Sequence, residues 1–165
     1  MKSLFEIERK YLIKIPDREF LRTLEGYTES EIEQIYLESE SGVTARVRRR
    51  AFLGKTEFTH NEKRRVGPMT AIENEREISE SEYYLLAEKI ENGARPLYKK
   101  RYTFSHGEFT VEIDVYPFFK DYCVMEIELD SESTVPDIPG FIEVIKEVTG
   151  DKAYSNHSLA HLKLD

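Results

Sequence analysis

The sequence is poor in the residues that cross-link or anchor a small protein. It contains one cysteine, Cys123, and no tryptophan. A single thiol cannot form an internal disulfide and cannot build a cysteine zinc site. No apolar run approaches the roughly 20 residues that a membrane-spanning helix needs, and the N-terminus lacks the apolar region of a signal peptide. We therefore expect a cytoplasmic protein without a membrane partner.

Basic residues are also fewer than acidic residues. The chain has 24 Lys and Arg against 32 Asp and Glu, which gives a formal net charge of −8. A general nucleic-acid binder presents a basic surface, so we expect no nucleic-acid partner. The 39% hydrophobic and 34% charged content indicates a folded chain. Its length of 165 residues fits one domain spanning residues 1–165.

Short alternating stretches bounded by turn residues dominate the sequence. They predict about eight strands, at residues 4–12, 31–39, 43–50, 56–65, 71–78, 97–105, 109–118 and 123–131. Their hairpin order, without a βαβ rhythm, predicts a mainly β fold: an eight-stranded antiparallel closed barrel with a few short helices outside. Helices are predicted after Asp17, after Ser79, over residues 141–148 and near the C-terminus.

Charges of one sign recur at alternate positions of individual strands, and alternate residues of a strand share a face. A solvated face normally mixes residue types, because like charges side by side are unfavourable. The segregation therefore favours a charged barrel interior over a solvated surface, with a divalent cation and a polyanion as the missing partners. The acidic sets are Glu6 and Glu8 (beside Lys10), Glu73, Glu75 and Glu77, Glu112 and Asp114, and Glu126 and Glu128; the basic sets are Arg46, Arg48 and Arg50, and Lys99 and Arg101.

The residue types indicate which ligands such an interior would take. Carboxylates without His or Cys suit hard cations, which favours Mg²⁺ or Mn²⁺ over zinc. Lys and Arg suit phosphate oxygens, and Arg adds bidentate geometry. Cations facing metal-bearing carboxylates across a tunnel predict a site for a metal–triphosphate, a small molecule carrying a triphosphate group.

The segment Glu6-Ile7-Glu8-Arg9-Lys10 resembles the Glu-x-Glu-x-Lys signature of the CYTH superfamily, the triphosphate tunnel metalloenzymes. Other segments resemble the family in the same order, and together they cover nearly the whole chain: 46–48, the strand with Glu73, Glu75 and Glu77, 99–102, 111–115, 125–129 and 147–156. The resemblance implies an eight-stranded antiparallel tunnel and divalent-metal-dependent action on triphosphates.

The same resemblance implies roles for individual residues. Glu6, Glu8, Glu126 and Glu128 would hold Mg²⁺ or Mn²⁺, with Asp114 nearby. The triphosphate would be bound by Lys10, Arg46, Arg48, Lys63, Lys99 and Arg101. Glu73, Glu75, Glu112 and Tyr36 are further candidates for the tunnel wall. The strand that carries Lys63 departs from the family pattern at Asn61 and Glu62, so Arg65 could share its face.

Lys99 is the candidate catalytic residue. The resemblance implies that a lysine at this position activates water, and crowding by Arg101 and other cations would lower its pKa and make a neutral amine accessible. A metal-bound water is the alternative nucleophile source.

Three functions follow from these observations. The first is hydrolysis of a triphosphate, inorganic tripolyphosphate foremost, with release of phosphate. The second is a class IV adenylate cyclase that converts ATP to cyclic AMP and pyrophosphate. The third is a non-catalytic module that binds polyphosphate or nucleotide. A homodimer is a further expectation on which the sequence gives no direct information.

Overall fold

An antiparallel sheet closes on itself within residues 4–164, the part of the chain that a computed structural model describes. This part contains nine strands, β1 Phe5–Lys14, β2 Thr28–Leu37, β3 Thr44–Phe52, β4 Lys55–Arg65, β5 Thr70–Glu77, β6 Leu97–His106, β7 Phe109–Val115, β8 Tyr122–Glu128 and β9 Val144–Glu147. The strand order is β5-β4-β3-β2-β6-β7-β8-β1, and β1 also pairs with β5. The prediction of a mainly β, eight-stranded closed barrel is therefore confirmed.

The register places charged residues of neighbouring strands side by side. Glu8 of β1 lies opposite Glu128 of β8, and Lys10 lies opposite Glu126. Because the two strands are antiparallel, each of these pairs shares one face of the sheet. The charged residues at alternate positions of these two strands thus line the interior of the barrel.

The segment 141–148 is not the helix that its apolar spacing predicted. Val144–Glu147 instead forms β9, which pairs with β1 through Tyr11 opposite Glu147. On that edge β5 pairs only with residues 5–7 of β1, which leaves the following backbone groups to be satisfied by another strand. Two β-branched residues, Val144 and Ile145, suit that strand. In this segment, backbone hydrogen bonding to β1 determined the structure in spite of the helical spacing of the apolar residues.

Three short α-helices lie outside the barrel or at its end in the described residues: α1 Arg18–Leu21, α2 Glu80–Ala87 and α3 Asn156–Ala160, with a 3-10 turn over Lys152–Tyr154. The first two begin as predicted, with the Asp17 side chain accepting a hydrogen bond from Glu19 N at 3.0 Å and Ser79 Oγ accepting one from Glu82 N at 3.1 Å. In the described part of the chain, no helix has the length and apolarity required to cross a membrane.

Apolar residues pack on the outside of the barrel and close one of its ends. The outer faces of β6, β7 and β8 contribute Phe104, Ile113 and Met125, all buried. Tyr83 of α2 packs against the outer face of β2 and β3. At one end of the barrel Leu159 of α3 packs with a second apolar cluster that includes Leu12 of β1. This end packing brings the C-terminal helix next to the charged interior.

Candidate active site

A cavity of about 740 Å³ extends into the barrel and is lined mainly by charged side chains. A second cavity of about 340 Å³ shares Arg48, Arg50 and Glu75 with the first. Lys99 and Asp114 lie beneath the cavity surface and are 4% and 1% exposed. The remaining sequence-predicted residues line the larger cavity: Glu6, Glu8, Lys10, Tyr36, Arg46, Arg48, Lys63, Glu73, Glu75, Arg101, Glu112, Glu126 and Glu128. Most of the charged residues predicted for the interior therefore line a single cavity.

Carboxylates crowd the part of the wall that β1, β7 and β8 form. Burial, together with the charges of Glu126 and Glu6, raises the pKa of Glu8 well above its usual range. Burial and Glu112 raise the pKa of Glu128 to about 7. A part of the Glu128 side chains thus retain their protons near neutral pH, because the carboxylates outnumber their cationic neighbours locally. A divalent cation can replace such protons, so the donor set fits a hard metal ion.

Two lysines partly neutralise the rest of this acidic wall. Lys63 Nζ lies 2.9 Å from Glu6 Oε1 and 3.3 Å from Glu73 Oε1. Arg65 shares the cavity face with Lys63, as predicted, but is exposed. Lys10 Nζ lies 3.4 Å from Glu126 Oε1. Burial alone would raise the pKa of Glu126, but Lys10 and Arg101 hold it well below its usual range. Glu126 is therefore ionised at neutral pH.

A buried ion-pair network joins β6 to β7. Arg101 Nε and Nη2 donate to the two oxygens of Asp114 at 2.7 and 2.9 Å, and Arg101 Nη1 donates to Glu112 at 2.7 Å. Lys99 Nζ donates to Asp114 Oδ2 at 2.8 Å. Burial opposes ionisation of Asp114, yet Arg101 and Lys99 lower its pKa to about 2. Both oxygens of Asp114 are engaged by cations of the chain.

Lys99 lies in a buried position that disfavours its protonated form. Its side chain is 0% exposed. Burial lowers its pKa to about 7, with Arg101 and Arg48 adding to the effect and Asp114 opposing it. Lys99 Nζ also donates to Asn156 Oδ1 at 3.3 Å, and this oxygen accepts a hydrogen bond from the Tyr116 hydroxyl at 2.5 Å. A neutral amine is thus accessible near physiological pH.

Strand β3 supplies the opposite, basic wall. Arg48 donates to Gln34 Oε1 from Nη2 at 2.7 Å, and Arg50 donates to Ser30 Oγ at 3.0 Å. Burial and the charges of Arg46 and Arg101 lower the pKa of Arg48 to about 9. Arg46 Nε is buried without a hydrogen-bond partner among residues 4–164. These cations repel one another and have unused donors, which is the arrangement expected of an anion site.

Solved structures provide the comparison with known proteins. The inorganic triphosphatase NE1496 is 25% identical and superposes with a TM-score of 0.61, over 100% of this chain and 99% of that one. The PH1819 protein of Pyrococcus horikoshii is 19% identical, with a TM-score of 0.60 over 78% of this chain and 80% of that one. An adenylyl cyclase-like protein from Hippeastrum, HpAC1, is 15% identical, with a TM-score of 0.50 over 76% and 80%. The chain has the CYTH, or triphosphate tunnel, fold. No protein-family model and no curated protein matches the chain significantly.

The barrel interior also contains polar residues for which the sequence predicted no role. Asn61 lines the cavity beside Arg50, which belongs to the predicted basic set, and its place could have been inferred because it follows the alternation of Lys63. Asn156 reaches the tunnel from α3, and Tyr116 follows the end of β7. No local pattern identifies these two, because their position depends on how the C-terminal segment packs against the barrel.

Proposed function

We propose that the chain is a divalent-metal-dependent hydrolase of triphosphates, with inorganic tripolyphosphate as its first substrate and phosphate as a product. The observation that carries the proposal is the separation of the tunnel into a wall rich in carboxylates and a facing wall rich in buried cations. The match to an inorganic triphosphatase over nearly the full length of both chains supports the choice of substrate.

Glu6, Glu8, Glu126 and Glu128 would hold the metal in this proposal. Carboxylate oxygens favour Mg²⁺ or Mn²⁺. The pKa values of Glu8 and Glu128 are raised by burial and by neighbouring carboxylates, whose negative charge a cation would neutralise. When bound, the metal supplies charge neutralisation and polarisation at the phosphoryl group. Asp114, whose oxygens are occupied by Arg101 and Lys99, would position these two cations instead of ligating the metal.

The cations of the tunnel would bind and orient the triphosphate. Arg46 and Arg48 present donors from one wall, while Arg101 is held rigidly by Asp114 and Glu112. Charge on a departing phosphate increases during transfer, and fixed cations stabilise that charge without reorganisation. Lys10 and Lys63 would complete the set at the cavity surface, whereas the ammonium group of Lys99, which lies beneath that surface, would have to turn towards the substrate to join it. Ion pairs of Lys10 and Lys63 with carboxylates would then rearrange when a polyanion and a metal enter together.

Lys99 is the proposed general base. With a pKa of about 7 a substantial fraction of its amine is neutral at physiological pH, which meets the requirement for accepting a proton from water. Asn156 and Asp114 fix the direction of Nζ. The water oxygen would bond to the terminal phosphorus as its proton passes to Lys99 Nζ. The phosphoanhydride bond would break at the same time, pyrophosphate leaving with the electron pair and the attacked phosphoryl group becoming phosphate.

A substrate panel tests the function. Tag-free protein is incubated with tripolyphosphate, ATP or thiamine triphosphate, each with Mg²⁺ or Mn²⁺, and phosphate, pyrophosphate and cyclic AMP are measured. The proposal predicts phosphate from tripolyphosphate, and a chelator should abolish its release. Cyclic AMP with pyrophosphate from ATP would identify a cyclase instead. Binding of all three without turnover would identify a polyphosphate-binding or nucleotide-binding module.

A further inference from the structure

Two histidines and a glutamate meet beside the tunnel and outside its carboxylate wall. His157 Nε2 lies 2.8 Å from Glu91 Oε1, and His161 Nε2 lies 2.5 Å from the same oxygen. One candidate ligand atom from each of the three residues lies within 4.8 Å of the other two. Among the described residues, no other three His, Cys, Asp or Glu side chains meet this distance. The side chains are 28% to 41% exposed, so an ion from solvent can reach them.

The backbone that carries these three side chains is well fixed. His157 lies on α3 and His161 directly follows its last residue, and both side chains point to Glu91. Glu91 N donates to Tyr36 O of β2 at 2.8 Å, which ties the glutamate to the barrel. Arg95 N donates to Ala160 O at 2.9 Å, which ties α3 to the segment that follows Glu91. The three ligand atoms are therefore brought together by packing before any ion binds.

We propose that Glu91, His157 and His161 form a binding site for a borderline transition-metal ion, Zn²⁺ in the first place. Imidazole nitrogens favour Zn²⁺, Ni²⁺ or Cu²⁺, whereas the all-carboxylate wall of the tunnel favours Mg²⁺ or Mn²⁺. Two histidines and one carboxylate are a common protein ligand set for zinc and leave one position for water. The chain would thus have two chemically distinct metal sites.

The observed geometry requires little adjustment to accept such an ion. Ligand bonds of about 2.0–2.1 Å in a tetrahedral site separate neighbouring ligand atoms by roughly 3.3 Å. The two nitrogen–oxygen distances are 2.8 and 2.5 Å, so they must lengthen by somewhat less than ~1 Å. Rotations of exposed side chains can supply this change. Both imidazoles converge on one carboxylate oxygen, and a cation can occupy the place of the bridging protons.

Occupation of this site would act on the tunnel through α3. His157 also lines the tunnel cavity, and its neighbour Asn156 accepts the hydrogen bond from Lys99 Nζ at 3.3 Å. An ion held by Glu91, His157 and His161 would connect α3 to the segment beside β2 through coordination bonds. The consequence would be a more rigid position of Asn156 beside Lys99.

Calorimetric titration with Zn²⁺ tests the site, using tag-free, chelator-treated protein in saturating Mg²⁺. The Glu6→Gln/Glu8→Gln double variant serves as the background, because it weakens any zinc binding by the tunnel carboxylates. We expect one equivalent to bind in this background. His161→Ala and Glu91→Gln should each weaken binding by on the order of 100-fold. His106→Ala is the matched control, since His106 also pairs with a carboxylate, that of Asp137 at 3.0 Å, and should leave the affinity unchanged.

Co²⁺ substitution gives a second readout that does not depend on the stability of a variant. A nitrogen- and oxygen-ligated Co²⁺ site should show visible ligand-field absorption in the wild-type chain, and added Zn²⁺ should abolish this absorption at one equivalent. Absence of stoichiometric Zn²⁺ binding in the double-variant background would overturn the proposal. So would zinc binding that His161→Ala and Glu91→Gln leave unchanged, with circular dichroism confirming that both variants are folded.

Discussion

Replacement of Asp114 by asparagine is the most informative perturbation of the tunnel's stability. The Asp114 side chain is 2% exposed and Lys99 is 0% exposed, with their atoms 2.8 Å apart. The isosteric amide keeps the volume but removes the charge that Lys99 and Arg101 share. Arg101 then keeps only Glu112 as a charged partner, and Lys99 faces a dipole, so that either a buried charge is left poorly compensated or Lys99 must give up its proton, and both are costly.

The expected loss of stability can be bounded in two ways. The Asp114 pKa falls from 3.8 to about 2 on folding, which corresponds to roughly 2 kcal/mol of stabilisation. Removing one partner of a buried ion pair typically costs about 3–5 kcal/mol. We therefore expect Asp114→Asn to lose about 2–5 kcal/mol, a large part of the stability of an ordinary domain. Because the folded pKa is depressed, this contribution is present above about pH 4 and is lost as the pH falls towards 2.

Urea unfolding followed by far-ultraviolet circular dichroism measures the effect. Urea leaves ionic strength unchanged, and the chain has no tryptophan to report by fluorescence. Glu143→Gln is the matched control, because its 3.0 Å ion pair with Lys14 is more than half exposed on both sides and should contribute less than about 1 kcal/mol. The double variant Asp114→Asn/Lys99→Met should recover part of the loss. Equal stability of Asp114→Asn and Glu143→Gln would refute the reasoning.

Three further predictions concern individual charges of the tunnel. Lys99→Ala should lower hydrolysis about 10²–10⁴-fold and remove the rise in rate through pH 7 that a base of that pKa produces; an unchanged rate in saturating Mg²⁺ would exclude the lysine base. Glu128→Gln should stabilise the metal-free protein increasingly as the pH rises from 4.5 to about 7, since burial and Glu112 raise its folded pKa over that interval, and urea titrations at several pH values would show it. Arg48→Met should raise the KM for tripolyphosphate roughly 10-fold or more. It should also increase the stability of the ligand-free chain, because burial and the charges of Arg46 and Arg101 disfavour this guanidinium. A KM equal to that of the wild type would contradict the placement of Arg48 in the phosphate site.

The alternation of apolar and charged residues along the strands was sufficient to predict most of the barrel and of the residues in its interior. Glu6, Glu8 and Lys10 line the cavity, while Arg9 lies outside and pairs with Glu147 at 2.6 Å. A period of two determines the face of a residue once the strand is identified. Strand number and hairpin order then sufficed to predict closure, because eight antiparallel strands form a small barrel.

What could not be predicted depends on contacts between distant segments. The segment 141–148 has helical apolar spacing, yet β1 offered unpaired backbone groups and β9 formed there. Sequence also did not reveal that Asp114 is saturated by Arg101 and Lys99, since that pairing follows from the register of β6 against β7. Asn156 enters the tunnel only because α3 packs at the barrel end. Such arrangements follow from three-dimensional packing and leave no periodic signal in the sequence.

The most direct test of the tunnel as the hydrolytic site compares two glutamates on opposite faces of the barrel wall. Glu126 lines the tunnel and pairs with Lys10 at 3.4 Å, whereas Glu29 of β2 pairs outside the tunnel with Arg18 at 2.7 Å. Phosphate release from tripolyphosphate is measured with saturating Mg²⁺ for Glu126→Gln and Glu29→Gln. We expect a loss on the order of 100-fold or more for Glu126→Gln and a rate close to wild type for Glu29→Gln. Equal rates for the two variants would contradict this expectation.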